Sequence, residues 1–299
     1  MTAPVLASIP NGYGVYLFGP LGRLMPIQVP LEGFSNPVTE FGVLHQPLSG
    51  ATTKDVFGYK QSFQIPLDAL DGPAWSFFEM IFRGAIPGPY YLMDPRRRNR
   101  LSATVSANDT VYTADTVWFP SSGALPHVAV TSFLLPDKAS GRNVQGPGSA
   151  LSWTPTAAGT LLAEANPIPV LAGETITFSC YVQAGNPTLE LVPYDSTGTA
   201  HAPWTGTVDE TGLVDRKHIT RRIPLDGSIA AVRPQLRASA AGTYTTLGWQ
   251  VSDHAGPEPW VLGAGVPQVL VDGLANQGGS GGADYLGGTL TGTLTIYEV

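Results

Sequence analysis

The sequence has one cysteine, Cys180, among 299 residues. A lone thiol makes no internal disulfide and no cysteine-based zinc site. It sits in the alternating run from Thr175 to Val182, where a buried, inert thiol is expected. Charge is scarce too. Only 13% of residues are Asp, Glu, Lys or Arg, against roughly 25% in ordinary soluble domains. The charges sum to −7, which disfavours a general nucleic-acid binder, because such a protein needs a net basic face to release counterions. No segment approaches the ~18 continuous apolar residues of a membrane span. The opening Met1-Thr2-Ala3-Pro4 carries no basic stretch followed by an apolar one, so no signal peptide is read there. The expectation is a chain that folds in a cytoplasm and inserts into no membrane.

What is abundant points to β-structure. The hydrophobic fraction of 43% supports real cores, and with so little charge the chain does not have a disordered composition. Gly 35 and Pro 27 punctuate short strands, as in sandwiches and barrels. The length suits about two domains.

Residues 1–100 read as one unit. Val15 to Phe18 is a short strand, and Leu24 to Leu31 is broken by Pro26 and Pro30, which suits only an edge strand. Phe34 to Gly42 reads as polar and irregular, with a strand through Val43. Val56 to Leu67 alternates, with Phe57, Tyr59, Gln61, Phe63 and Ile65 on one face. One helix is expected within Leu67 to Ile81, with Asp71 as N-cap and Pro73 in the first turn. Its apolar stripe is Ala74, Phe77, Phe78 and Ile81, and Gly84 stops it. Glu79 and Arg83 stand four apart, placed to pair on the exposed side. Tyr90 to Met93 is a further strand.

Arg96, Arg97, Arg98 and Arg100 supply four of the 16 Lys and Arg residues, and a domain boundary is placed there. Strand-like runs follow at 101–106, 110–119, 126–135, 149–153, 159–164, 174–182, 188–194, 217–223, 229–237 and 243–251, with turn signals between most of them and no useful helical period. Many short strands with regular turns suggest a sandwich over 101–262. Residues 263–299 read as closing strands: Gln268 to Leu274, a flexible Gly-rich stretch at 275–288, then the alternating Thr289 to Val299. A chain ending on such a strand needs a partner for it, and the N-terminal unit is one home. The expected class is all-β: an N-terminal barrel or sandwich with one short helix, and a second sandwich.

Gly33 to Gly42, Ser49-Gly50, the strand from Tyr59 to Leu67, the helix at 72–83, Tyr90 to Pro95 and the Arg98-Asn99 pair resemble the N-terminal domain of distal tail proteins from long-tailed actinobacterial phages. Gly265 to Val269 and Thr293 to Val299 look like the closing strands of such proteins. The middle is similar to the galactose-binding-like jelly rolls of carbohydrate-binding modules, through Leu171 to Ser179, Thr188 to Gly198, and Gly248 to Val251 with Gly256 and Pro259-Trp260. The resemblance implies a homo-oligomeric ring, a hexamer, assembled in the host cytoplasm. It would sit at the virion tail tip, joining the tail tube to tip and baseplate proteins, with the jelly roll projecting outward toward a host cell-wall glycan. A free-standing carbohydrate-binding or adsorption protein is the alternative.

No catalytic pattern emerges. Asp195, Asp209, Glu210, Asp215 and Asp226 lie in turn-like polar stretches, where solvated carboxylates are expected without a hydrolytic role. His127, His201, His218 and His254 have no Gly-x-Ser-x-Gly nucleophile to serve. The histidines show no metal-binding spacing, and no cofactor is expected. Loop oxygens such as those of Asn108 and Asp109 leave room for a structural calcium. Two candidate sites remain. Trp204 in a polar loop, with Tyr194, Asp195 and His201, could present a ring to a sugar. Arg96, Arg97, Arg98 and Arg100 could meet carboxylates of a neighbouring subunit, a role that planar guanidinium suits. The plain readings are that Trp204 caps a sandwich edge and that the arginines form a solvated connector.

Overall fold

The computed structural model describes residues 15–18, 24–27, 37–45, 53–70, 72–93, 98–107, 127–129, 134–137, 142–145, 149–210, 215–263, 265–266, 268–280 and 289–298. In chain order the elements are β1 (Val15–Phe18), β2 (Leu24–Ile27), β3 (Val38–His45), β4 (Thr53–Leu70), α1 (Gly72–Phe82), β5 (Tyr90–Met93), α2 (Ala103–Ala107), β6 (His127–Ala129), β7 (Leu134–Asp137), β8 (Arg142–Gln145), β9 (Ser149–Trp153), β10 (Leu161–Glu164), β11 (Ile168–Pro169), β12 (Thr175–Ala184), β13 (Thr188–Tyr194), β14 (Val208–Glu210), β15 (Asp215–Arg222), β16 (Ala231–Arg237), β17 (Tyr244–Ser252), β18 (Gln268–Ser280) and β19 (Thr289–Glu298). The protein is all-β, with two short helices among the described residues. It divides into two compact units, one built mainly from Met25–Leu92 and Pro267–Val299, the other from Met93–Val266.

The first unit is a seven-stranded sheet in the order β2-β1-β5-β18-β19-β4-β3. The C-terminal strand β19 runs antiparallel to β4, with Leu294 opposite Ile65 and Ile296 opposite Phe63. These four side chains are buried with Leu67, Val269 and Val271, and Phe78 and Ile81 of α1 join the same core. Each such side chain, fully buried, contributes about 1.5–3 kcal/mol. Helix and sheet approach closely at Gly292, where an added Cβ would lie 2.3 Å from the Ala275 carbonyl oxygen and 2.8 Å from the Trp75 ring. On the exposed side of α1, Arg83 donates to Glu79 Oε1 at 2.9 and 2.6 Å, the pair that the i,i+4 spacing predicted. Among the described residues the two edges of the sheet are β2, which contains Pro26, and β3. Two local expectations change. Residues 38–42 are strand, because β4 extends to Thr53 and offers them a full antiparallel partner. β18 continues through the glycines to Ser280, because pairing with β19 supplies order that composition alone does not. The described part of this unit is one sheet with a helix packed on it, within the all-β class expected.

The second unit is a sandwich. Its larger sheet has the order β14-β15-β12-β17-β9-β6. In the smaller sheet β16 pairs with β10 and β11 on one side and β13 on the other. Alternation decides which side chains enter the core. Ile176, Phe178 and Cys180 of β12, Leu189 and Leu191 of β13, and Val232 and Leu236 of β16 all face it, together with Trp153 and Trp249. The two indoles stack with centroids 6.0 Å apart and planes 5° from parallel. Residues 101–106, read as strand, instead include α2. The Ser102 Oγ accepts the Val105 amide at 3.3 Å, a short cap that favours a turn of helix over an unpaired strand. The expected strand at 110–119 lies outside the described residues.

Candidate functional site

Within the basic stretch the structure describes Arg98, Asn99 and Arg100. Arg98 is exposed but pairs with Glu258 Oε1 at 2.5 Å. Asn99 is completely buried. Its Nδ2 donates to the carbonyls of Trp249 (3.1 Å) and Val261 (2.8 Å), and its Oδ1 accepts the amides of Leu101 (3.2 Å) and Val251 (3.1 Å). Arg100, expected to face a neighbouring subunit, is only 4% exposed. Its guanidinium forms a fork with Glu174, Nη1 to Oε1 at 2.9 Å and Nη2 to Oε2 at 2.8 Å. Burial works against its charge, but Glu174, and more weakly Asp253, outweigh that and hold its pKa above the ordinary value. A subunit-interface role for Arg100 is therefore withdrawn: the bidentate geometry that suits an interface carboxylate is satisfied inside the unit. Arg96 and Arg97 lie outside the described residues.

The four-residue sugar site is split by strand geometry. Trp204 pairs with Leu191 as an isolated bridge, its amide donating to the Leu191 carbonyl at 2.8 Å and its carbonyl accepting at 3.1 Å. Opposed residues in a pair share a face. Leu191 is a core residue, and Trp204 packs half-buried against the same core. Tyr194 stands three positions along β13 and so emerges on the opposite face. Trp204 and Tyr194 thus form no common platform, and Trp204 caps the sandwich edge. Asp195 organises the turn between them. Its Oδ1 accepts the Thr197 hydroxyl at 2.6 Å and the amides of Thr197 and Thr199 at 2.8 and 3.0 Å. The Thr197 hydroxyl, followed by the Thr199 amide, lowers its pKa below the ordinary carboxylate value. His201 Nε2 lies 3.6 Å from Asp195 Oδ2.

Tyr194 belongs instead to the outer face of the smaller sheet. Opposite the core residues Val232 and Leu236, β16 presents Arg233, Gln235 and Arg237; opposite Leu189 and Leu191, β13 presents Glu190, Val192 and Tyr194. Register brings Glu190 beside Gln235, and Val192 beside Arg233. The Arg233 guanidinium carbon lies 5.0 Å from the centre of the Tyr194 ring, and its Nη1 donates to Glu164 Oε2 at 3.2 Å. Arg237 Nε donates to Glu190 Oε2 at 2.8 Å, and Gln235 Nε2 donates to the same oxygen. Glu190 and Gln235 are buried, while Tyr194, Arg233, Arg237 and Glu164 are half-exposed around them. The result is a buried polar floor, an arginine-backed aromatic ring and a rim of hydrogen-bonding groups. Of these residues only Tyr194 was singled out from sequence. Alternation over 231–237 groups Arg233, Gln235 and Arg237, but their carboxylate partners come from strands 40 or more residues away.

The outer face of the larger sheet is roofed by segment 253–263. The Thr177 hydroxyl donates to the His254 carbonyl at 2.5 Å and accepts the Gly256 amide at 3.2 Å. Arg216 donates to the Glu258 carbonyl, and the Val261 amide donates to Gln250 Oε1 at 3.0 Å. Trp260 packs on Tyr181, Leu247 and Ala150. The segment returns to the chain so closely that a Cβ on Gly263 would lie 2.2 Å from the Leu101 carbonyl oxygen.

Asp209 pairs with Lys217, and Asp226 accepts the Ser228 amide at 2.9 Å. His218 lies on β15, and His254 sits 3.5 Å from Asp253 and 3.4 Å from Glu258. Among the described residues no three His, Cys, Asp or Glu side chains gather as metal ligands; Asn108 and Asp109 lie outside them. Cys180 is fully buried, and desolvation pushes its thiol up to about 12 despite Lys217 and Arg216.

No family model and no curated protein matches the chain. Solved structures similar to it include the enzymatically active domain of tailspike protein 4 of bacteriophage CBA120, at 11% identity and TM-score 0.33, covering 52% of this chain and 21% of that one. Another is the CBM22-1 xylan-binding domain from Paenibacillus barcinonensis Xyn10C, at 14% identity and TM-score 0.27, covering 48% of this chain and 89% of that one. A third, a CBM4 module, has 18% identity and TM-score 0.27, covering 36% and 70%. With TM-scores this low, none of these likenesses carries an inference about this chain. No described helix is long and apolar enough to cross a membrane.

Proposed function

We propose that the chain is a structural component of a phage tail tip whose sandwich binds a host-surface glycan through the Tyr194 face, without catalysis. The observation that carries the glycan reading is the half-exposed Tyr194 ring held by Arg233 beside a polar floor of Glu190 and Gln235. Aromatic rings stack on the apolar face of a pyranose, and adjacent fixed donors and acceptors orient its hydroxyls. Glu164 and Glu190 on that face are each engaged by an arginine, which favours binding over hydrolysis. The scaffold reading is supported by the seven-stranded sheet. Among the described residues it ends on two unlike edges, β2 and β3. A closed ring needs two different patches that meet, and unpaired strand edges associate readily. The tail-tip assignment rests on the resemblance of residues 33–42, 49–50, 59–67, 72–83, 90–95 and 98–99 to distal tail proteins.

Two measurements test the proposal. Retention of the full chain on host cell walls or a glycan array should fall on Tyr194→Ala and survive Arg98→Ala. Equal retention by wild type and Tyr194→Ala removes the site. Light scattering after size exclusion should show a sixfold or larger assembly, or one that forms when tail-tube protein is added. A chain that stays monomeric in both conditions, yet binds glycan, is a free-standing adsorption protein.

A further inference from the structure

Resting on the glycan reading above, we infer that the ligand of the Tyr194 face is an uncharged polyhydroxy chain, a neutral hexose or pentose polymer, and not one carrying phosphate, sulfate or uronate groups. Both arginines of the face are already neutralised within it. Arg233 reaches Glu164 at 3.2 Å, and Arg237 reaches Glu190 at 2.8 Å while donating a second bond to the Gly159 carbonyl at 3.0 Å. At the end of the face His201 is held beside Asp195. Three carboxylates, those of Glu164, Glu190 and Asp195, therefore stand against two guanidiniums, on a chain whose formal net charge is already −7. An anionic group approaching Tyr194 would meet a like charge with no uncommitted cation among these residues, an arrangement that rejects partners more strongly than it recruits them.

Hydroxyl groups are different. Each donates and accepts in one group, so a sugar chain can add hydrogen bonds to both members of an arginine–carboxylate pair without breaking it. The Tyr194 ring supplies stacking that depends on the apolar face of the sugar and not on charge. Binding of this kind is insensitive to ionic strength, whereas capture of a polyanion weakens steeply with salt.

The test compares three soluble probes against the full chain: a neutral glucan or xylan, a polyuronate and a polyglycerol phosphate, each at low and high salt. The expected result is binding of a neutral polymer that changes less than about twofold with salt and falls by at least about tenfold in Tyr194→Ala. Neither polyanion should bind. In Glu164→Gln, which releases Arg233 from its partner, salt-sensitive binding of a polyanion should appear. Wild-type binding of a polyanion that is lost in Tyr194→Ala overturns the inference and leaves the glycan-binding function standing. A Glu164→Gln chain that still ignores both polyanions overturns it too. Neutral binding that Tyr194→Ala does not weaken overturns the assignment to this face. Wild type binding none of the probes and no host glycan overturns the glycan reading itself.

Discussion

The two outer faces of the sandwich are built from similar materials and put to different ends. Each carries an arginine, a glutamine and a tyrosine with a guanidinium over its ring, Arg216 at 5.1 Å from Tyr181 on the larger sheet and Arg233 at 5.0 Å from Tyr194 on the smaller. On the larger sheet the chain itself occupies the face. Segment 253–263 lays Trp260 on Tyr181, and Gln250 is taken by the Val261 amide. On the smaller sheet the polar groups bind one another, and the ring and rim stay half-exposed. A face closed by its own chain contributes to stability, and a face left open can serve a ligand. Composition does not separate the two; coverage does.

That contrast predicts a graded set of outcomes. The largest belongs to the anchor behind the roofed face. Arg100→Ala leaves Glu174 buried and unpaired and should cost about 3–5 kcal/mol in denaturant unfolding of the sandwich. Replacing both partners together with apolar residues should recover much of it. Next, Trp260→Ala should cost about 3 kcal/mol by removing a buried indole, with glycan retention per folded molecule unchanged. Asn99→Ala, which strands two buried amides and two carbonyls, should cost at least about 2 kcal/mol. On the open face, Tyr194→Ala should shift the unfolding midpoint by less than about 1 kcal/mol while abolishing retention. If Tyr194→Ala proves as destabilising as Trp260→Ala, the distinction between the faces fails.

Two pH effects are smaller. The Asp195 carboxyl is held below its ordinary 3.8 by Thr197 and Thr199. A lowered acid favours the fold above its ordinary value and loses that contribution as pH falls through the lowered one. The 195–199 turn should therefore loosen only in strong acid, seen as faster exchange of the Thr199 amide. Cys180 titrates in the other direction. With its thiol raised from 9.0 to about 12, the unfolded chain releases this proton first, so stability should decline from about pH 9 toward 12. In the folded protein at neutral pH the thiol should not react with alkylating reagents.

Much of the local structure was legible in the residues. Alternation located β9 and β13 at their observed limits, and the stripe of Phe77, Phe78 and Ile81 marked α1. Misreadings arose where a distant partner decides the outcome. Residues 38–42 look irregular until β4 pairs with them, and the glycines after Ala275 look like a linker until β19 lies alongside. Arg100 looks like a surface cation because it ends a run of arginines; its carboxylate partner, Glu174, is 74 residues away. Trp204 looks exposed because its neighbours are polar, yet the bridge to Leu191 turns it toward the core.

By itself, then, the sequence determined the class of the protein: all-β, low in charge, without a disulfide framework, with alternating runs whose apolar members must face a core. Those properties follow from composition and from a period of two, which any short window contains. Tertiary structure alone decided that the C-terminal strand lies between β18 and β4, which outer face is roofed, and which aromatic ring remains available. Each of these depends on strand register and on pairings between separate segments, up to more than 200 residues apart, and a one-residue change of register would send every side chain to the opposite face.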